Sequence, residues 1–239
     1  MTLRSSKDRT TPILGILTLI TLLVGAYFVV VSPPDENQKD LVRILYLHVP
    51  ASWMYYMACF GTFVYGLAYL FTRNRRWDRL SAASSEIGIL MVGLSLLGGM
   101  IWGKPTFGAF WVWDDPRLTS TALALLIFIG YFIVRGLIED PHRRARVAAV
   151  IGVVGMINVP INYMSVTWWR SIHQGFTVNL LGKTDLRADS SMLLALLFMT
   201  LAFTTLFFYF LRLRGILAER LEAREERLLE RDLQLQGGD

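Results

Sequence analysis

Residues 102 to 120 read "WGKPTFGAFWVWDDPRLTS", in which three tryptophans and two phenylalanines share a short run with Lys104, Asp114, Asp115 and Arg117. Gly103, Pro105 and Gly108 interrupt helical continuity, so the run is expected to be a tightly folded connection that lets backbone approach a ligand. On either side lie apolar stretches, at about 82 to 101 and 119 to 135. Each is long enough to cross a hydrocarbon core of about 30 Å, which takes about 20 helical residues. Read as a loop between two membrane spans, the run sets the topology of everything around it.

Four more apolar stretches, at about 12 to 31, 50 to 71, 147 to 165 and 191 to 211, bring the expected spans to six. The 239 residues are 54% hydrophobic and 13% aromatic, with a mean hydropathy of +0.44, above the range of ordinary soluble domains. Lipid offers no partner to unpaired backbone groups, so the spans must be helices. The expected fold is an all-α integral membrane protein of six transmembrane helices, with an extra-membrane tryptophan-rich loop at 102–118 between helices 3 and 4. Residues 1–211 form a single membrane domain and 212–239 a charged helical tail. The first stretch is longer than a usual signal core and ends in "SPPDE" rather than a small-residue cleavage site, and is read as a retained span.

Seventeen of the 24 lysines and arginines fall before span one, after span two, after span four or in the tail. The positive-inside rule then places both termini in the cytoplasm. The net charge of +5 is therefore a topology signal, and nothing else in the chain supports a nucleic-acid partner. Cys59 is the only cysteine, which excludes a disulfide framework within the chain and reads as a packing residue.

This topology sends residues 32 to 49, 102 to 118 and 166 to 190 outward. His48 stands where the first of these enters span two, His173 lies in the third, and His142 falls in an arginine-rich cytoplasmic connection as a solvated bystander. An aromatic loop flanked by two loops that each offer one imidazole suits a flat ligand. Tryptophan and phenylalanine rings give stacking faces, and two histidines suffice for a bis-axial haem iron. Carboxylates on such a ligand need cations, and Arg43 and Arg117 are the first candidates, with Lys104 beside them, because arginine grips a carboxylate through two parallel hydrogen bonds.

The same residues admit structural readings. Tryptophans at the ends of spans are expected as interfacial anchors, and a histidine near an interface is commonly structural. Asp114 reads as a cap for the fourth span or as a partner for Arg117. Asn158, Pro160 and Asn162 interrupt span five, either bounding an outer pocket or marking a repaired proline kink. Glu86, near the cytoplasmic end of span three, receives no role. The tail from Arg212 has leucines at partly helical spacing among mixed charges, a pattern of a solvated helix that can also dock a partner.

Three motifs carry a resemblance. "WGKPTFGAFWVWDDPRLTS" is similar to the tryptophan-rich WWD signature of haem-handling membrane proteins, while "LYLHVPASW" at 45–53 and "INYMSVTWWRSIHQG" at 161–175 resemble the histidine motifs of one branch. That branch is the cytochrome c maturation protein C family, CcmC, also called haem exporter protein C. The resemblance covers essentially the whole chain, with the motifs in the right order. It implies a bacterial inner-membrane protein that presents haem b at the periplasmic face and passes it to the haem chaperone CcmE for covalent attachment. It also implies work with CcmD and the ABC-type pair CcmA and CcmB. Carried over by motif, His48 and His173 are the axial ligands of the haem iron. Trp102, Trp111 and Trp113 form the platform, with Phe107 and Phe110 beside them and Arg43, Asp114 and Arg117 completing the expected site. Phe107 stands where many relatives have tryptophan, and the family spacing WDxRLT appears as "WDDPRLT", which leaves the direction of Arg117 open.

No residue in this set need act as acid, base or nucleophile, so no classical active site is expected; attachment would be promoted by presentation and orientation. Two other functions compete. A cytochrome b-type redox subunit needs histidine pairs inside the spans, and this chain has too few. A haem-translocating transporter subunit would be marked by broken helices in matching halves or a nucleotide-binding loop, and neither pattern is present, although partner chains could supply a passage.

Overall fold

A computed structural model describes residues 8–173 and 190–236. Seven helices follow in order: α1 (Thr10–Val31), α2 (Val42–Thr72), α3 (Arg75–Phe107), α4 (Pro116–Leu137), α5 (Pro141–Gly155), α6 (Asn158–Trp168) and α7 (Ser190–Gln236). Among the described residues there is no strand, only an isolated bridge between Asp35 and Lys39 in the first connection. Six helical stretches are long and apolar enough to cross a membrane, with α5 and α6 together making the fifth. The chain is a multi-pass membrane protein.

The connection between α2 and α3 shows how few residues a reversal needs. Arg73 takes a left-handed conformation (φ 56°) to end α2, and the Asn74 side chain accepts from the Arg76 N–H at 2.9 Å to start α3. The two helices then lie close because small residues face each other. A Cβ on Gly61 would stand 2.2 Å from Ser84 Oγ, so a larger residue there would have to displace that hydroxyl. Thr62 Oγ1 and Ser85 Oγ bond at 3.0 Å across the same seam. Bonds of this kind between membrane helices contribute about 0.6 kcal/mol each, so the close backbone approach matters at least as much as the bond. Met54, Tyr55, Ala58, Ile87, Val92 and Phe128 complete the central core around this pair.

α1 packs along α7 through a Thr21–Thr205 hydroxyl bond of 3.0 Å and a stacked Phe28–Phe198 pair with centroids 5.1 Å apart. Its other face, with Ile13, Leu19 and Leu23, is exposed as a lipid-facing surface should be.

The two ends of the bundle differ in chemistry. At the end where α2 finishes and α3 starts, Arg135 grips the buried Asp78 with bonds of 2.5 and 3.2 Å. Glu222 accepts from both Arg75 and Arg79 at 2.6 Å, and Arg214 pairs with Glu86, which gives that carboxylate a structural partner. α7 runs unbroken through these contacts, so the charged tail expected from residue 212 continues the last span without a helical break. The opposite end gathers His48, His173 and the tryptophans between residues 102 and 113.

Two expectations about local structure are corrected. The first six residues of the quoted stretch are not loop: α3 continues through Pro105 to Phe107, and only residues 108 to 115 lie between helices. Proline this near a helix end removes a single late hydrogen bond and is tolerated, and Gly108 then closes the helix at φ 81°, its N–H bonded to Lys104 O at 3.0 Å. α2 likewise begins at Val42, so His48 stands inside a helix rather than at a loop's edge.

Candidate functional site

His48 occupies the second turn of α2 and faces α3. Its Nδ1 lies 2.8 Å from the Ser95 carbonyl oxygen, and its ring packs against Gly98 and Gly99, where a Cβ on Gly99 would stand 3.1 Å from His48 Cε1. Ser52 Oγ bonds the His48 carbonyl at 2.9 Å and Ser95 Oγ at 2.6 Å, tying the same turn of α2 to the same turn of α3. The imidazole is thus fixed by helix-to-helix contacts.

Gly99 also borders a cleft of about 270 Å³ that Trp102, Phe107, Phe110, Trp111 and His173 help to line. Trp102 is only 5% exposed, and its indole N–H donates to Gln38 Oε1 at 3.0 Å, clamping the first connection onto the end of α3. Its ring meets Phe107 edge-on at 5.2 Å. Trp111 meets Trp113 in the same manner at 5.5 Å, and the buried Trp111 indole N–H has no hydrogen-bond partner among the described residues. Trp113 is 79% exposed at the rim. Lys104 Nζ donates to Gly108 O at 3.0 Å and stands 5.4 Å from the Phe110 ring centre.

His173 follows α6 and is reached from the start of α4 by Asp115. One oxygen of that carboxylate accepts from the Arg117 and Leu118 N–H groups at 3.0 and 2.9 Å and lies 3.3 Å from His173 Nδ1. The other accepts from Ser171 Oγ at 2.7 Å and from the Ile172 N–H at 2.8 Å. The Asp115 side chain is 1% exposed. Burial works to raise its pKa, but the bonds from His173, Ser171, Leu118 and Ile172 outweigh it and hold the carboxyl well below its usual range. Asp115 is therefore ionised whenever the protein is folded near neutrality.

A family model described as Heme exporter protein C matches residues 2–230. The chain belongs to the heme exporter protein C family. Among relatives, it is 38% identical over 199 residues to the heme exporter protein C of Bradyrhizobium diazoefficiens, covering 83% of this chain and 74% of the relative. It is 32% identical over 205 residues to a putative cytochrome c biosynthesis ccmC-like mitochondrial protein of Marchantia polymorpha, covering 86% of each. It is 34% identical over 171 residues to the heme exporter protein C of Escherichia coli K12, covering 70% of this chain and 68% of the relative.

In this member of the family, the residues expected from sequence do not all meet. Arg117 lies near Tyr56, and both it and His173 are within electrostatic reach of His48. Arg43 is directed to the end of α1, where it donates to the carbonyls of Val29, Val30 and Ser32 and pairs with Asp40 at 3.1 Å. Asp114 is exposed and does not cap the fourth span. The cap is Asp115, because the first helical residue is Pro116, whose fixed φ and missing N–H suit the first helical position. Counted back from "RLT", Asp115 also stands at the aspartate of the family spacing, so the extra residue falls on its N-terminal side. The Asp-Pro pair was the available signal for it.

Span five breaks just before Asn158, Pro160 and Asn162, at a tightened turn at Met156–Ile157, and those three residues lie within α6. The asparagines make the break a junction. Asn162, 1% exposed, donates to Arg117 O at 3.1 Å, Ser120 Oγ at 2.7 Å and Thr121 Oγ1 at 2.9 Å, and accepts from Tyr55 and Tyr56. Asn158 donates to Ser120 O at 2.9 Å. α6, which leads to His173, is thereby fastened to α4 and α2.

Proposed function

We propose that the chain handles haem for c-type cytochrome biogenesis, receiving haem b between His48 and His173 at the aromatic end of the bundle. The observation that carries this reading is the shared state of the two imidazoles. Each has Nδ1 turned to a protein oxygen, and among the described residues Nε2 of neither ring has a hydrogen-bond partner. A neutral imidazole oriented in this way is a ready iron ligand. The residues lining the cleft that His173 and Gly99 border suit the cargo. Trp102, Trp111, Phe107 and Phe110 offer apolar faces, Trp113 an exposed ring at the rim, and the orphaned Trp111 N–H a donor for an oxygen of the ligand.

The arginine-rich end fits the cytoplasmic side of a bacterial inner membrane and the histidine end the periplasmic side, with both termini cytoplasmic. In this reading Arg117 supplies positive charge beneath the ligand and Arg43 braces the first connection near it. The site is shallow, so iron ligation and ring contacts hold haem while one edge stays open to the chaperone CcmE. Release to CcmE, in company with CcmD and the CcmA–CcmB pair, then needs only the loss of contacts at the loop side. The protein's own contribution to covalent attachment is orientation.

The test is haem retention by the full chain purified in detergent. Wild type is expected to carry a low-spin spectrum that His48→Ala and His173→Ala each convert or bleach. Pigment insensitive to both changes would exclude these ligands, and two haems per chain would favour a redox subunit.

A further inference from the structure

The geometry points to Asp115 as the positioning residue of this site: its carboxylate holds His173 with Nδ1–H inward and Nε2 toward the cleft, and makes His173 the more electron-donating of the two ligands. The inference rests on the reading that His48 and His173 bind haem iron.

The direction of each hydrogen follows from its partners. Ser171 Oγ lies 2.7 Å from Asp115 Oδ2, and an ionised carboxylate only accepts, so the hydroxyl hydrogen goes there. The serine oxygen is left as an acceptor, 3.1 Å from the His173 backbone N–H and 3.3 Å from His173 Nδ1. Both oxygens beside Nδ1, those of Ser171 and Asp115, are thus acceptors, and Nδ1 must carry the hydrogen. In a neutral imidazole Nε2 is then the bare nitrogen. His48 reaches the same tautomer against the Ser95 carbonyl, which is also an acceptor.

The two partners differ in charge. A backbone carbonyl is neutral, while a carboxylate bonded to the far nitrogen of a ligating histidine raises the ligand's basicity and favours the higher oxidation state of the metal. Asp115 also caps α4 and takes the Ile172 N–H, so the same carboxylate ties the segment bearing His173 to the start of α4.

Asp115→Asn separates these roles, because an amide oxygen still caps α4 while its NH2 group replaces the acceptor facing Ser171 and Ile172. In the full chain loaded with haemin in detergent, Asp115→Asn is expected to weaken haem binding about tenfold or more and to move the midpoint potential of bound haem to a more positive value. Gly93→Ala, where a Cβ meets nothing within 4 Å, should leave the potential near wild type. Loss of haem in His173→Ala with unchanged affinity and potential in Asp115→Asn would overturn the inference and leave the haem reading standing. Full retention in His173→Ala would instead overturn that reading. Should Asp115→Asn fail to fold, 15N-histidine NMR of the haem-free wild type decides: a Nδ1–H tautomer at His173 supports the assignment, and an Nε2–H tautomer contradicts it.

Discussion

The two imidazoles reach the same end of the bundle by different construction. His48 is held by a wall, its ring against Gly98 and Gly99 and its Nδ1 on a backbone carbonyl of α3, with Ser52 and Ser95 bonded beside it. His173 is held by a side chain, through Asp115, in the non-helical segment that follows α6. Moving His48 requires shifting two packed helices, whereas moving His173 requires breaking a few hydrogen bonds. In the proposed function such a division would serve a site that collects a cargo and gives it up: the fixed imidazole would locate the iron and the tethered one would let go.

The largest effect should come from replacing each histidine by glycine and adding free imidazole. Both changes should remove the wild-type haem spectrum. Imidazole in the millimolar range should restore it more completely in His173→Gly than in His48→Gly, because the first vacancy lies in a non-helical segment beside the cleft and the second between packed helices. Equal rescue at both would remove the distinction between wall and tether.

Next, Gly99→Val should disturb the wall that holds His48 together with the cleft edge that Gly99 borders. Even a Cβ at this position meets His48 Cε1 at 3.1 Å, and overpacking of this kind costs about 1–3 kcal/mol, or about tenfold or more in haem affinity if expressed at the ring. Gly93→Val, where a Cβ meets nothing within 4 Å, serves as the control and should bind as wild type. Haemin titration of the two variants checks this.

Asn162→Ala should act on the tethered side. It leaves the buried Tyr55 hydroxyl and its α4 partners short of their bonds, at a cost of about 1–3 kcal/mol, read as a lowered thermal midpoint. Because α6 leads to His173, the haem spectrum should change toward that of His173→Ala and not toward that of His48→Ala. The smallest effect is expected from Arg43→Gln. Its guanidinium is spent on the carbonyls ending α1, so haem affinity should stay within about twofold while stability falls by about 1 kcal/mol. A large loss of affinity would return Arg43 to the ligand's carboxylates.

The spans were legible in the sequence because apolar length is a strong constraint in lipid: five of the six stretches lie in one helix of adequate length and the other runs across the α5–α6 pair. What the sequence hid were positions. Gly103 and Pro105 read as breakers by residue type, yet Pro105 falls in the last turn of α3, where little hydrogen bonding remains to be lost. The aspartate pair could be divided only by noticing that Pro116 begins a helix, which makes Asp115 its cap and leaves Asp114 exposed. Arg43 and Arg117 looked alike as outer cations, and their directions depend on the carbonyls and hydroxyls that neighbouring helices present. Ser95, Gly99 and Ser171 are small residues whose roles arise only from what they face across the fold.

The most direct measurement is the structure of the full chain loaded with haem. The expected result is one iron between Nε2 of His48 and Nε2 of His173, on opposite porphyrin faces, with the ring plane against Trp102 and Trp111 and the Asp115–His173 contact kept. Iron held by other residues, or a porphyrin seated at the arginine-rich end, would contradict it.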